Sequence, residues 1–215
     1  MQINKLLLNF VIMQTQRNIT VVGVLTDGFK VGVANIASLI IASILYVVTC
    51  WIPYLNVGTT IAMFTIPMKL SQGKIISPTF IFDGKYRQYM GEYFTLQGLK
   101  MMSLTPAFLF FIVPGVIISI SWSLALYIML DRGIAPGEAL IESNKATYGH
   151  KGTIFGVNLL LFILCVIIFA VLSWIPYIGS LAAIVICIPF FFGCQAIIYK
   201  NLAKELPTID TATEA

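Results

Sequence analysis

The sequence predicts an all-α integral membrane protein: six transmembrane helices arranged as three helical hairpins, both termini cytoplasmic, with amphipathic interfacial helices between them. Three observations predict it. Of 215 residues, 59% are hydrophobic and 10% charged, against about 25% charged in soluble domains. Charged residues leave three long gaps, 38 residues between Lys30 and Lys69, 30 between Lys100 and Asp131, and 48 between Lys151 and Lys200. About 20 apolar residues cross a bilayer, so each gap holds two crossings or nearly so. Every Lys, Arg, Asp and Glu then falls on one side, the positive-inside pattern that fixes orientation.

Residues 1–30 form an N-terminal interfacial segment, in which 3–17 lie flat on the surface with Lys5 and Arg17 at the ends. Gln14-Thr15-Gln16-Arg17 follows the apolar run Leu6 to Met13 without a small-residue cleavage site, so a removed signal peptide is not expected. Hairpin 1 covers 31–71, with spans at 31–50 and 54–71. Its tip is Trp51-Ile52-Pro53-Tyr54. Residues 78–96 read as an amphipathic interfacial helix, since Tyr86, Tyr89 and Tyr93 recur at helical spacing among Lys85, Arg87 and Glu92. An aromatic face backed by cations suits the headgroup plane; packing under the bundle is the alternative. Tyr86, Arg87, Tyr89 and Tyr93 are the candidate lipid or partner contacts.

Hairpin 2 covers 97–131, with spans at 97–113 and 115–131 and a tip at Pro114-Gly115. Fifteen residues per helix reach about 22 Å, short of a core of about 30 Å, so either Lys100 snorkels and the helix starts near Leu96, or this hairpin enters without crossing. Residues 136–149 form a cytoplasmic helix, opened by Pro136 and Glu138 and stopped by Gly149. Glu142 and Lys145, three apart, pair on its surface. Hairpin 3 covers 153–199, with spans at 153–173 and 177–199 and a tip at Trp174-Ile175-Pro176-Tyr177. Residues 201–215 are a flexible tail.

Hairpins 1 and 3 read as a parallel internal repeat. Trp51-Ile-Pro-Tyr54 recurs as Trp174-Ile-Pro-Tyr177, and Ile66-Pro67 recurs as Ile188-Pro189 after one single-residue gap. Trp51, Tyr54, Trp174 and Tyr177 suit an aromatic belt at headgroup level. Pro67, Pro106 and Pro189 are expected to kink their helices.

The search for chemistry is largely negative. Cys50, Cys165, Cys187 and Cys194 all lie in apolar stretches without metal spacing, where a thiol behaves as a small hydrophobe. His150, the only histidine, has no Cys or paired carboxylate nearby. No hydrolase, phosphate-loop or dinucleotide fingerprint occurs, so no catalytic, cofactor or metal residue is assigned. The formal charge of +4 is spread rather than clustered, which argues against nucleic acid. Buried polar candidates include Asn35, Ser119, Ser121 and Ser123. Thr59, Thr60, Asn158 and Gln195 could line a polar path between the repeated hairpins, although such groups usually bond between helices.

The run Phe110-Phe-Ile-Val-Pro-Gly-Val-Ile-Ile118, then Ser123-Leu-Ala-Leu-Tyr-Ile-Met-Leu-Asp131, Glu138-Ala-Leu-Ile-Glu-Ser143 and Gly149-His-Lys-Gly152 resembles uncharacterised bacterial six-helix membrane proteins of the YciC-like kind. It is also similar to the membrane domain fused to some glycerophosphoryl diester phosphodiesterases. The resemblance covers roughly residues 20 to 200 and implies the cytoplasmic membrane of a bacterium. The hydrolytic domain of those phosphodiesterases is absent from this sequence, so their activity does not carry over. The function expected is a non-enzymatic accessory or lipid-interacting scaffold, with membrane lipids and a protein at the cytoplasmic face as partners. A small-molecule or lipid transporter is the alternative.

Overall fold

The computed structural model describes residues 19–49, 51–73, 76–175 and 178–203. The predicted N-terminal surface segment 3–17, the tail beyond 203, Cys50, Pro176 and Tyr177 lie outside them. The described chain is all helical. It runs α1 (Val21–Ala34), α2 (Ile36–Thr49), α3 (Pro53–Phe64), α4 (Ile66–Ser71), two 3-10 segments (Pro78–Phe82 and Gly84–Tyr89), α5 (Met90–Phe110), α6 (Ile112–Ser121), α7 (Ala125–Arg132), α8 (Pro136–Thr147), α9 (Lys151–Leu172) and α10 (Ile178–Leu202).

Among these residues, three stretches are long and apolar enough to cross a membrane: Ile112–Arg132, Lys151–Leu172 and Ala182–Leu202. Val21–Ala34 and Ile36–Thr49 add a fourth if the pair, bent by 76°, counts as one. Only 17% of the most apolar window of α9 is buried within the protein. A helix apolar all round with most of its surface uncovered needs a nonaqueous surrounding. The chain is thus a helical protein with several candidate membrane spans, as in a multi-pass membrane protein.

Hairpin 1 departs from its expected course. The helix starts at Val21 rather than residue 31, because Thr20 accepts a hydrogen bond from the Gly23 N–H at 3.2 Å and caps it. Lys30, which bounds the first uncharged gap, sits inside α1 together with Asp27, both side chains exposed. The bend follows at Asn35. Residues 54–71 are likewise two helices, broken at Thr65, with Pro67 near the start of α4. Fourteen residues in α2 and twelve in α3 reach about 21 and 18 Å, so the short hairpin is the first. Hairpin 2 is long: α5 has 21 residues and begins at Met90, ahead of the boundary expected at residue 97.

The hairpin 2 turn is also displaced. The chain reverses at Phe111, which is extended (φ −152°, ψ 129°), and Pro114 and Gly115 fall in the first turn of α6. Proline is accepted there because its missing N–H has no intrahelical acceptor. Pro53 opens α3 in the same way. The helices after the two Trp-Ile-Pro-Tyr tips differ, since α3 ends at Phe64 whereas α10 runs through Pro189 to Leu202. Trp51 and Trp174 are nearly fully exposed.

The tightest pairing joins α1 to α10 through small residues. A Cβ on Gly32 would collide with the Pro189 carbonyl oxygen, and one on Gly193 with that of Gly28. Only backbones without side chains approach this closely. Cys194 is buried in the same seam.

Candidate functional site

The aromatic segment 78–96 is not one α-helix. Asp83 caps the second 3-10 segment by accepting the Lys85 N–H at 3.1 Å, and α-helical geometry begins at Met90. The spacing of three between Tyr86 and Tyr89 fits a 3-10 turn as well as an α-helix. The segment packs onto α3, with Tyr86 buried beside Ile61, Ile81 and Leu96, and with Tyr89 and Tyr93 packed against that cluster. The aromatic face therefore points mainly into the protein. Arg87 also packs onto α3: its Cζ lies 5.8 Å from the Tyr54 ring centroid, and its Cγ would meet a Cβ on Gly58 at 2.8 Å. Tyr54 and Arg87, read from sequence as lying on opposite sides of the membrane, are in contact. That contact and the shortness of α2 and α3 do not fit a full double crossing by hairpin 1.

Burying Tyr86 creates a cleft. It encloses about 220 Å³ and is lined by Thr65, Met68, Lys69, Gln72, Lys85, Tyr86, Tyr89 and Leu130. The end of α4 brings Lys69 to it, with Nζ 4.0 Å from the Phe80 ring centroid and 5.5 Å from that of Tyr86. Lys85 approaches the Tyr86 ring to 5.2 Å and pairs with Asp83 at 2.6 Å. That hydrogen bond is the first cause holding the Asp83 carboxyl below its ordinary value and the Lys85 ammonium above its own. A pair this exposed adds little stability. Tyr86 is only 4% exposed, and its hydroxyl has no hydrogen-bond partner in the protein. A buried unsatisfied hydroxyl costs about 1–3 kcal/mol.

Lys69, Gln72 and Lys85 were not singled out from the sequence. Lys69 read as the end of a span. The only available signal was the interleaving of Lys85 and Arg87 with tyrosines.

A second polar cluster ties α7, α8 and α10 together. Arg132 Nη1 donates to Glu142 Oε2 at 2.6 Å, with side chains only 10% and 5% exposed, and Arg132 Nη2 donates to the Ala203 carbonyl at 2.6 Å. The Tyr199 hydroxyl donates to Asp131. The expected surface pair of Glu142 with Lys145 is thus corrected: Glu142 faces inward, and the buried guanidinium takes it. Ser143, one residue on, donates to the Ser121 carbonyl at 2.7 Å and accepts the Leu124 N–H at 3.2 Å. It bridges the turn between α6 and α7. The Glu-Ala-Leu-Ile-Glu-Ser run therefore stitches the bundle end.

The four path candidates are divided between two places. Thr59 shares a hydrogen bond with Thr49 at 3.1 Å, and Thr60 with Tyr46 at 3.2 Å, joining α2 to α3. Gln195 donates to Asn158 at 3.0 Å, joining α9 to α10. Between hairpins 1 and 3 lies a groove of about 430 Å³ lined by Ile40, Ser43, Ile44, Val47, Val48, Ile184, Val185 and Ile188. None of the four lines it, and the Ser43 hydroxyl donates to the Leu39 carbonyl. Among the described residues no group of three or more His, Cys, Asp or Glu is placed to hold a metal ion. No protein-family model, curated protein or solved structure matches the chain.

Proposed function

We propose that this chain is a non-enzymatic, lipid-interacting scaffold of the bacterial cytoplasmic membrane. The observation that carries this reading is the apolar groove between α2 and α10, which suits an acyl chain and offers a hydrated solute nothing to bond. Thr59, Thr60, Asn158 and Gln195 support it from the other side, being engaged in helix-to-helix hydrogen bonds of the kind that fasten membrane bundles. In this arrangement both termini are cytoplasmic, and the crossings come from the candidate spans α6–α7, α9, α10 and the bent pair α1–α2. The parallel repeat is a shared origin of hairpins 1 and 3 with divergent helix courses.

The test is flux. Full-length protein reconstituted in liposomes is compared with the Asn158→Leu, Gln195→Leu double variant for release of small polar solutes. The scaffold predicts no protein-dependent release from either. Saturable release by the wild type that the variant loses would establish a transporter instead.

A further inference from the structure

We propose that the cleft between α4 and the second 3-10 segment is an anion site that takes a phosphate group, held by Lys69, Lys85 and Gln72 beside the Tyr86 ring. The proposal rests on the lipid-interacting reading and locates where a headgroup would be recognised.

Three independent features converge here. Two ammonium groups approach one tyrosine ring to 5.5 and 5.2 Å, and both residues line the same cleft, whose positive charge favours an anion. Asp83 neutralises part of that charge, on Lys85 only. An ammonium has three donors, so Lys85 keeps capacity after bonding Asp83. Lys69 makes no ion pair among the described residues.

Gln72 contributes an amide with two further donors. The size of the cleft then selects among anions. At about 220 Å³ it falls below the range of about 300–1,000 Å³ typical of drug-sized ligands, which suits a phosphate group and not a nucleotide.

A phosphate group could come from a lipid headgroup or from free solution, and the two sources separate experimentally. Thermal unfolding of the full-length protein in neutral detergent is followed while titrating short-chain phosphatidic acid, short-chain phosphatidylcholine or inorganic phosphate. The wild type should show a saturable upward shift with phosphatidic acid at concentrations well below those phosphatidylcholine requires. An equal response to inorganic phosphate assigns a free anion, and a response to the lipid alone assigns a headgroup; either supports the site. The Lys69→Gln, Lys85→Gln double variant should lose saturation, and Lys69→Arg with Lys85→Arg should retain it, which separates lost charge from lost fold. If the double glutamine variant binds phosphatidic acid as the wild type does, lipid interaction stands and this site falls. If the wild type responds to neither phosphatidic acid nor inorganic phosphate, the site is likewise overturned, and retention of lipid in native membrane particles judges the wider reading separately.

Discussion

Arg132 and Glu142 form a buried ion pair, Nη1 to Oε2 at 2.6 Å, across the junction of α7 and α8. A desolvated pair of this kind adds little over a well-packed apolar pair, but losing one partner strands the other charge. Glu142→Ala should therefore lower stability by about 3–5 kcal/mol, read by denaturant unfolding in detergent. Arg132→Met with Glu142→Leu should recover most of that loss. A double variant no better than the single one would show that the pair is needed for more than charge balance.

Ser143 sits next to that pair and serves the α6–α7 turn. Its hydroxyl meets both the Ser121 carbonyl and the Leu124 N–H, so Ser143→Ala leaves two buried backbone groups without this partner. The expected cost is about 1–3 kcal/mol. Ser173→Ala, whose exposed hydroxyl only bonds back to Ala170, should change unfolding little and serves as the control.

Gly32 is one of the points at which α1 and α10 touch. A side chain there meets the Pro189 carbonyl, and backbone atoms cannot rotate away as a side chain does. Gly32→Val should destabilise by about 1–3 kcal/mol or more through overpacking. Gly98→Ala, in α5 with open space around its Cβ position, should be neutral or slightly stabilising through helix propensity. Equal behaviour of the two variants would contradict the close approach of α1 and α10.

The charge state of the cleft bears on pH dependence. The cleft faces Lys69, Lys85, Tyr86 and Tyr89, with Asp83 on Lys85. Asp83 titrates below its ordinary value, so its pairing contribution is lost only as the pH falls through that lowered value. Lys85 titrates above its ordinary value, so its contribution persists below that value and is lost only as the pH rises through the raised one. Neither pair member changes charge between pH 5 and 8. Phosphatidic acid binding over that range should strengthen near the second phosphate ionisation, at about pH 6, following the ligand. A midpoint unrelated to phosphate would show that a protein group titrates instead.

The fold was legible where charge spacing and local chemistry coincide. The limits of α9 and α10 fall within a few residues of those expected, because Lys151 and Lys200 bound a long uncharged run. Pro136 opens α8 as predicted, and Gly149 ends that region with φ +81°. Charge spacing failed at α1, where Asp27 and Lys30 project outward from a helix that continues past them. Periodicity failed at 78–96, because a three-residue step does not distinguish 3-10 from α geometry. The Arg132–Glu142 and Asn158–Gln195 pairs were hidden for a different reason: each joins two helices, and no local rule states which faces meet. The i,i+3 rule offered Lys145 to Glu142, and burial beside Arg132 overrode it. Tyr86, Arg87, Tyr89 and Tyr93 are neighbours in sequence, whereas the lysines that share the Tyr86 cleft come from elements 16 residues apart.

The central claim is that this chain holds lipid. Its most direct measurement is mass spectrometry of the full-length protein extracted in native membrane particles, scoring retained lipids against the bulk membrane. The account predicts anionic phospholipid enriched over bulk and held through mild delipidation. Retained lipid of bulk composition, removed as readily as annular lipid, would contradict it.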